Sequence, residues 1–410
     1  MHPQRATLHN ELHARPSLYF SEPAHLYHYA FLDADGACDR LIARLAEDLG
    51  EWLDQDAAQG VLSLEGMVLK WERHTEFFTL SLLVPRQPDT ATWPAPPAML
   101  AEIIDAHRDQ VINATLILVE EDVQPDGDLA AYGFKDPAGS HIGGGDATVW
   151  SDFRLTEDGV NHLLIVNRHL NDYRLGRMTR RLLEIETYRM MASLALPLAK
   201  ERSGELRCFE QELAALSDRN AAAEDTDSRP LLRDITALSA RLVHSSAGAR
   251  VRFSATDAYA KIVFSRIEEL RETRTGDGQR LGLFILRRFQ PTVRYCSAID
   301  RRQASLEQSV AHLSDLLRTR AQVEIEEQNA VMLKSLNERT SSQLKIQKAV
   351  EGLSIIVISY YIISLLKLSL EGLDAVGLGM EPRQAAAIVA PLGILIIGGL
   401  AWRIWKLRRH

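Results

Sequence analysis

The sequence predicts an α+β cytoplasmic domain followed by a long-helix bundle and stalk, with a two-helix transmembrane hairpin at its C-terminal end. Three observations predict this. Short aromatic and aliphatic runs bounded by proline and glycine occupy residues 1–170. Helix-periodic stretches of Leu, Ala, Glu and Arg dominate 171–349. Two long apolar runs then follow one another within 350–405, ahead of a basic tail at 406–410. The first group reads as an N-terminal α/β domain, the second as bundle and stalk, and the third as spans over about 350–370 and 385–404.

In chain order, Asp39–Leu53 places Leu41, Ile42, Leu45, Leu49 and Leu53 on a helical period, so one face should pack on a sheet. Gly66–His74 (GMVLKWERH) and Glu76–Val84 (EFFTLSLLV) read as paired strands ended by Pro85. Gln87–Pro97, with four prolines, is a connection. Val111–Glu120 and Asn161–Asn167 read as buried strands, and Gly143–Trp150 as a glycine-rich turn entering another. Helices are predicted over Arg174–Glu201, Leu206–Leu216, Pro230–Ser246 and Thr256–Arg274, with a solvated loop at Asn220–Ser228 and a turn at Thr275–Asp277. The last helix is predicted to run from about Pro291 to Val350 and to enter the membrane unbroken. Leu306, Val310, Leu313 and Leu317 give it heptad spacing, which turns polar at Glu324, Glu326 and Glu327.

The first apolar run reads VEGLSIIVISYYIISLL from Val350 to Leu366, and Lys367 is followed by another apolar turn, Leu368–Leu370. The second, Ala385–Trp402, carries no charge. Each approaches the roughly 20 residues that a helix needs to cross a bilayer. Basic residues flank the pair on the outside of the hairpin: Arg339, Lys345 and Lys348 before it, and Arg403, Lys406, Arg408 and Arg409 after it. The positive-inside rule therefore predicts both chain ends in the cytoplasm. Ala386, Ala390, Gly393 and Gly398 are small enough for close helix contact.

Charged residues are 25% and hydrophobic residues 46% of the 410, so the membrane part is local, and the net charge of -8 excludes nucleic acid as a main partner. The three cysteines, Cys38, Cys208 and Cys296, are too far apart for a zinc or redox motif and indicate a reducing compartment. Met1–Phe20 has no apolar core stretch, so no secretory signal is expected.

Among candidate sites, His9 and His13 stand at i, i+4, with His25 and His28 close behind. Four neighbouring imidazoles could hold a metal, or they could be packing and capping residues around Pro16 and Pro23. Glu72, His74 and Glu76 alternate along a predicted strand and would share one face, as acid, base or ligand groups or as a salt-bridged surface. Gly143-Gly144-Gly145-Asp146 lacks the Lys-Ser/Thr of a P-loop and leads to a strand, which makes it a hairpin turn. Tyr360, Ser364, Lys367 and Glu371 recur at i, i+4, i+7 and i+11 and form a polar stripe on the first span. No G-x-S-x-G, no H-E-x-x-H and no partnered Cys nucleophile is present, so no enzyme and no cofactor is expected.

The segments His9-Asn10-Glu11-Leu12-His13-Ala14-Arg15-Pro16, Trp71-Glu72-Arg73-His74-Thr75-Glu76-Phe77, Gln343–Gln347 and Val350–Ser354 through Ser359-Tyr360-Tyr361 resemble the bacterial DUF3422 family of membrane-anchored proteins. That resemblance implies a multi-pass protein of the bacterial inner membrane and brings no activity with it. The order of parts is also similar to the CorA divalent cation channels, whose signature is Gly-Met-Asn at the outer end of the first span. Here Gly379-Met380-Glu381 follows Leu378, with Glu in place of Asn and well past that span. The CorA-like layout implies a homo-oligomer and a divalent cation as ligand. Two functions follow: a membrane-tethered scaffold or sensor without catalysis, its partner the lipid bilayer, or an oligomeric divalent cation channel.

Overall fold

Strands that are apolar on both faces need cover on both sides, and this sequence supplies it with helices inserted between the strands on one face and helices that follow them on the other. The computed structural model describes residues 2, 4–10, 17–49, 53–54, 57–121, 129–222, 228–375, 387, 390–399 and 402. They fall into two units: Met1–Glu224 with Pro230–Asp315, and Asp225–Arg229 with Leu316–His410.

The first unit is an α+β body. Its strands are β1 (Ala24–Leu32), β2 (Gln59–Leu64), β3 (Met67–Arg73), β4 (Phe77–Pro85), β5 (Val111–Glu121), β6 (Ala138–Ile142), β7 (Ala147–Ser151), β8 (Asn161–Asn167) and β9 (Thr273–Arg274). They form one mixed sheet in the order β2-β3-β4-β1-β5-β8-β7-β6-β9. β5 and β8 are parallel, and the other pairings are antiparallel. One face, with Tyr27, Phe31, Leu69, Phe78, Leu80 and Leu116, packs on Leu41, Ile42 and Leu45 of α2 (Ala37–Leu49) and on Leu100 and Ile103 of α3 (Ala98–Ala106). The other face, with Leu26, Leu83, Ile117, Val119, Leu163 and Ile165, packs on α4 (Asp172–Ser193), α6 (Arg229–Glu269) and the first turns of α7 (Leu281–Ala375). Each fully buried Leu, Ile or Phe in these layers contributes roughly 1.5–3 kcal/mol.

The predicted pair of strands is the β3–β4 hairpin, and the predicted α2, β5, β7 and β8 are present within a few residues of their expected ends. Other elements differ for identifiable reasons. β1, β2 and β6 were not expected. In β1 (AHLYHYAFL) both faces are buried, so no polar alternation marks it. The helix expected over Arg174–Glu201 ends at Ser193 and is followed by α5 (Ala195–Ala222). Pro197 causes the break, because it has no N–H to offer and its ring excludes the carbonyl four residues earlier. α4 is capped by Asn171, whose side chain accepts from the Arg174 N–H at 3.0 Å.

The two helices expected over Pro230–Ser246 and Thr256–Arg274 are instead the single α6. Its buried residues, from Leu231, Ile235 and Leu238 through Ser246, Ala249 and Phe253 to Val263 and Ile267, continue at three- and four-residue steps past Gly248. Such a stripe outweighs the roughly 1 kcal/mol that an interior glycine costs a helix. Thr273 and Arg274, expected to be helical, add to the sheet edge as β9. α7 begins at Leu281 and carries Pro291 inside it, since Leu281, Ile285, Phe289 and Val293 are buried on one face.

In the second unit α7 continues to Ala375. Leu306, Val310, Leu313 and Leu317, on the expected heptad spacing, are all buried, whereas every residue from Ile325 to Ser354 is exposed. α7 is the one helix among the described residues that is long and apolar enough to cross a membrane, with an 18-residue window of mean hydropathy 2.0 and none of that window buried. A shorter apolar helix, α8, spans Ala390–Gly399. The three cysteines are free thiols, Cys38 and Cys296 buried and Cys208 exposed.

Candidate functional site

Polar residues inside a sheet are costly unless bonded, and this sheet carries a row of them. On the face covered by α4, the register sets Lys70 opposite Ser81, Ser81 opposite His28, His28 opposite Thr115, and Thr115 opposite Asn161. All five are buried. His28 Nδ1 lies 2.8 Å from the Ser81 hydroxyl and Nε2 3.0 Å from that of Thr187 on α4, so one ring nitrogen donates and the other accepts. Asn113 donates to Thr187 at 3.2 Å and accepts from Thr115 at 3.2 Å. Farther along, Asn161 donates to Glu186 at 3.1 Å, and Arg189 holds the same carboxylate at 2.7 Å. Burial, reinforced by the Lys70 charge, pushes His28 down to about 3, so its imidazole is neutral at pH 7.

At the Lys70 end of this row the sheet and helices part around a cavity of about 220 Å³. Lys70, Thr79 and Ser81 reach it from the strands, Thr179, Leu183 and Thr187 from α4, and Ile262 and Arg266 from α6. Leu18 and Phe20, in the extended segment before β1, close one side. That segment crosses α4 at Gly176, where an added Cβ would lie 2.0 Å from the Leu18 carbonyl oxygen. Tyr19 and Tyr173, with ring centroids 4.8 Å apart, pin the crossing from outside.

The charges on and behind the wall form one network. Lys70 Nζ is 3.1 Å from Glu72, and Arg180 is 2.8 Å from Glu184. Arg266 pairs with Glu184 and, at 2.7 Å, with Glu269, which also receives Arg181 at 2.8 Å. These pairs join four cations, Lys70, Arg180, Arg181 and Arg266, to three carboxylates, Glu72, Glu184 and Glu269. Burial lowers the Lys70 pKa, and Glu72 acts against that shift. The Thr79 hydroxyl, on a residue only 4% exposed, has no hydrogen-bond partner among the described residues.

Of the residues singled out in the sequence, Glu72 and His74 reach this cavity, where His74 stacks on Phe77 at 4.1 Å. Glu76 does not. It lies in the β3–β4 turn and is held by Arg252 at 2.6 and 2.8 Å and by the Tyr259 hydroxyl. Burial raises the Glu76 pKa, but these bonds outweigh burial and hold the carboxyl below its usual range. The salt-bridged alternative therefore describes Glu76. His9 is exposed on the short helix α1 (Arg5–Asn10), and His13 lies outside the described residues. His25 and His28 project to opposite faces of β1, where His25 bonds the Thr92 carbonyl at 3.0 Å, so these two cannot share a metal. No cluster of three or more His, Cys, Asp or Glu suited to a metal occurs among the described residues.

Gly143–Gly145 is the β6–β7 turn, and Arg174 ties it to α4 through the Gly143 carbonyl at 3.0 Å and Asp146 at 2.6 Å. Tyr360, Ser364, Lys367 and Glu371 are exposed along α7, while Gly379, Met380 and Glu381 lie outside the described residues. Sequence reasoning misses Lys70, Thr79 and Ser81 as site residues. Their signal is a lysine in mid-strand (MVLKWER) and polar residues at alternate positions in FFTLSLL.

No curated protein matches the chain. A family model described as "Protein of unknown function (DUF3422)" matches residues 1–410, its whole length, and the chain therefore belongs to the DUF3422 family.

Proposed function

We propose that this protein is a membrane-tethered scaffold or sensor without catalytic activity, held in the bacterial inner membrane by a two-helix hairpin with both chain ends in the cytoplasm. The apolar face of α7 carries this reading. Leu353, Ile356, Val357, Ile358, Tyr360, Tyr361, Leu365 and Leu368 are all exposed within a few turns, a patch that water does not tolerate on a free helix. At 1.5 Å per residue, about 20 such residues match the roughly 30 Å of a bilayer core. α8 supports the second arm: Gly393 is buried, and a Cβ there would stand 4.0 Å from Ile363 Cγ1, which brings the two apolar helices side by side. The basic residues before the first span and after the second set the orientation.

The stripe of Tyr360, Ser364, Lys367 and Glu371 favours the tether over a divalent cation channel. Such groups avoid lipid, so in a membrane they face the hairpin interior or the axis of a homo-oligomer. A ring of Lys367 ammoniums at that axis would repel divalent cations. Two experiments test the reading. In a variant lacking the three native cysteines, Asp374→Cys should label with an impermeant maleimide from outside intact cells. Labelling only after permeabilisation would overturn the topology. Purified wild-type protein in liposomes should show little or no magnesium uptake, and robust uptake would put the channel first.

A further inference from the structure

We propose that the cavity between the sheet and α4 binds a small uncharged polyol, with one of its hydroxyls bonded to that of Thr79. The inference is independent of the membrane reading, because every group it uses belongs to the first unit. Thr79 supplies the first argument. Of the buried side-chain atoms without a hydrogen-bond partner among the described residues, its Oγ1 is the one that belongs to the lining of this cavity. The other buried hydroxyls of the lining are used inside the protein: Ser81 and Thr187 hold His28, and Thr179 donates to the Leu175 carbonyl at 2.9 Å. A buried hydroxyl left unbonded is an unmet cost, which a ligand group able both to donate and to accept removes.

The charges of the wall supply the second argument. Most of the lining is polar, and its lysine, arginine and glutamate side chains are all ion-paired: Lys70 with Glu72, and Arg180 and Arg266 with Glu184. A ligand of net charge would lose its own water and then have to share a countercharge that is already engaged. A hydroxyl loses far less on leaving water. It can also donate to the carboxylates of Glu72 and Glu184, whose oxygens each accept more than one bond, without breaking their pairs. Apolar groups are the minority, and Leu183 from α4 and Ile262 from α6 give the C–H edges of such a molecule a surface. Size is the last constraint. A cavity of about 150 Å³ holds the six carbons of benzene, so the 220 Å³ here suits about nine non-hydrogen atoms, a polyol of about four or five carbons.

The test is a saturation-transfer NMR titration of the full chain in a detergent without a sugar headgroup, with empty micelles as the blank. Erythritol should bind saturably at millimolar concentration. Erythronate and putrescine, which carry opposite charges on a chain of the same length, should bind about tenfold more weakly or not at all. Butane-1,4-diol, which lacks the two inner hydroxyls, should bind about fivefold more weakly. Thr79→Val should be at least as thermostable as wild type without ligand, yet bind erythritol about fivefold or more weakly, whereas Thr79→Ser, which keeps the hydroxyl, should bind within about twofold of wild type. No saturable erythritol binding, erythronate or putrescine binding as tightly as erythritol, or unchanged erythritol affinity in a folded Thr79→Val protein would each overturn the assignment. So would a Thr79→Val protein markedly less stable than wild type, since the hydroxyl would then be bonded within the protein, or Thr79→Ser binding as weakly as Thr79→Val, since the loss would then be one of packing.

Discussion

Gly176→Val is expected to destabilise the first unit by about 3 kcal/mol and to displace the segment that closes the cavity. An ideal Cβ at this position meets the Leu18 carbonyl oxygen at 2.0 Å and its carbon at 3.0 Å, both backbone atoms that no rotamer change can move. Relief requires the segment carrying Leu18, Tyr19 and Phe20 to lift from α4, which pulls Phe20 from the core and Leu18 from the cavity wall. Overpacking of this kind costs roughly 1–3 kcal/mol, and the lost burial of an aromatic side chain adds a comparable amount. Working against this, replacing an interior helical glycine gains up to about 1 kcal/mol of helix propensity, so Gly176→Ala should lose less than Gly176→Val. Gly204→Ala in α5 isolates that propensity, since nothing lies within 4 Å of its added Cβ, and it should raise the urea midpoint. A Gly176→Ala protein as stable as wild type would show that the crossing is not held closed by this contact.

Much of the fold was legible because its elements carry their own periodicity. The apolar steps of Leu41, Ile42 and Leu45 predicted α2, and all three are buried against the sheet. The β3–β4 pair was legible as two aromatic-rich runs a few residues apart. What failed were the places where tertiary packing or a single backbone restriction outweighs local pattern. β1 sits inside the sheet with both faces covered, so its apolar residues do not alternate with polar ones, and of the two readings open for its histidines, metal ligands or packing groups, the internal hydrogen bonds of His25 and His28 fit the second. The gap expected between Ser246 and Thr256 is closed by the buried stripe of α6, and Pro197 supplies a break inside the helix expected over Arg174–Glu201.

The cavity was less legible than the fold because strand register, which a sequence does not state, assembles it. Lys70, Ser81 and His28 become neighbours only through the pairing of β3 with β4 and of β4 with β1, and Thr187 joins them from 159 residues away. Glu72, His74 and Glu76 were grouped by alternation, but β3 ends at Arg73, so the chain turns between them and sends Glu76 to Arg252 instead. The alternation argument holds only while the strand lasts.

His28 should dominate the acid sensitivity of the first unit. Its pKa is about 3 when folded and 6.5 when exposed, so between those values the unfolded chain binds the extra proton. A depressed pKa gives stability that is complete above about pH 6.5 and is lost as pH falls toward 3, at about 1.4 kcal/mol per pH unit. The loss between pH 6.5 and 4.5 should therefore be about 2–3 kcal/mol from this residue. His25 and His162, also lowered by burial, act in the same direction. Glu76 and Glu269, held below their usual range, contribute only at lower pH, from about 4.5 downward. The groups facing His28 make the proton unwelcome from each side: Ser81 on β4 and Thr187 on α4 occupy its two nitrogens, and the Lys70 ammonium lies beyond Ser81. His28→Gln keeps one donor and one acceptor but cannot titrate. Urea midpoints followed by tryptophan fluorescence should fall between pH 6.5 and 4.5 in wild type and fall much less in His28→Gln. Equal slopes in the two proteins would mean that the His28 imidazole is not the buried neutral group that this geometry requires.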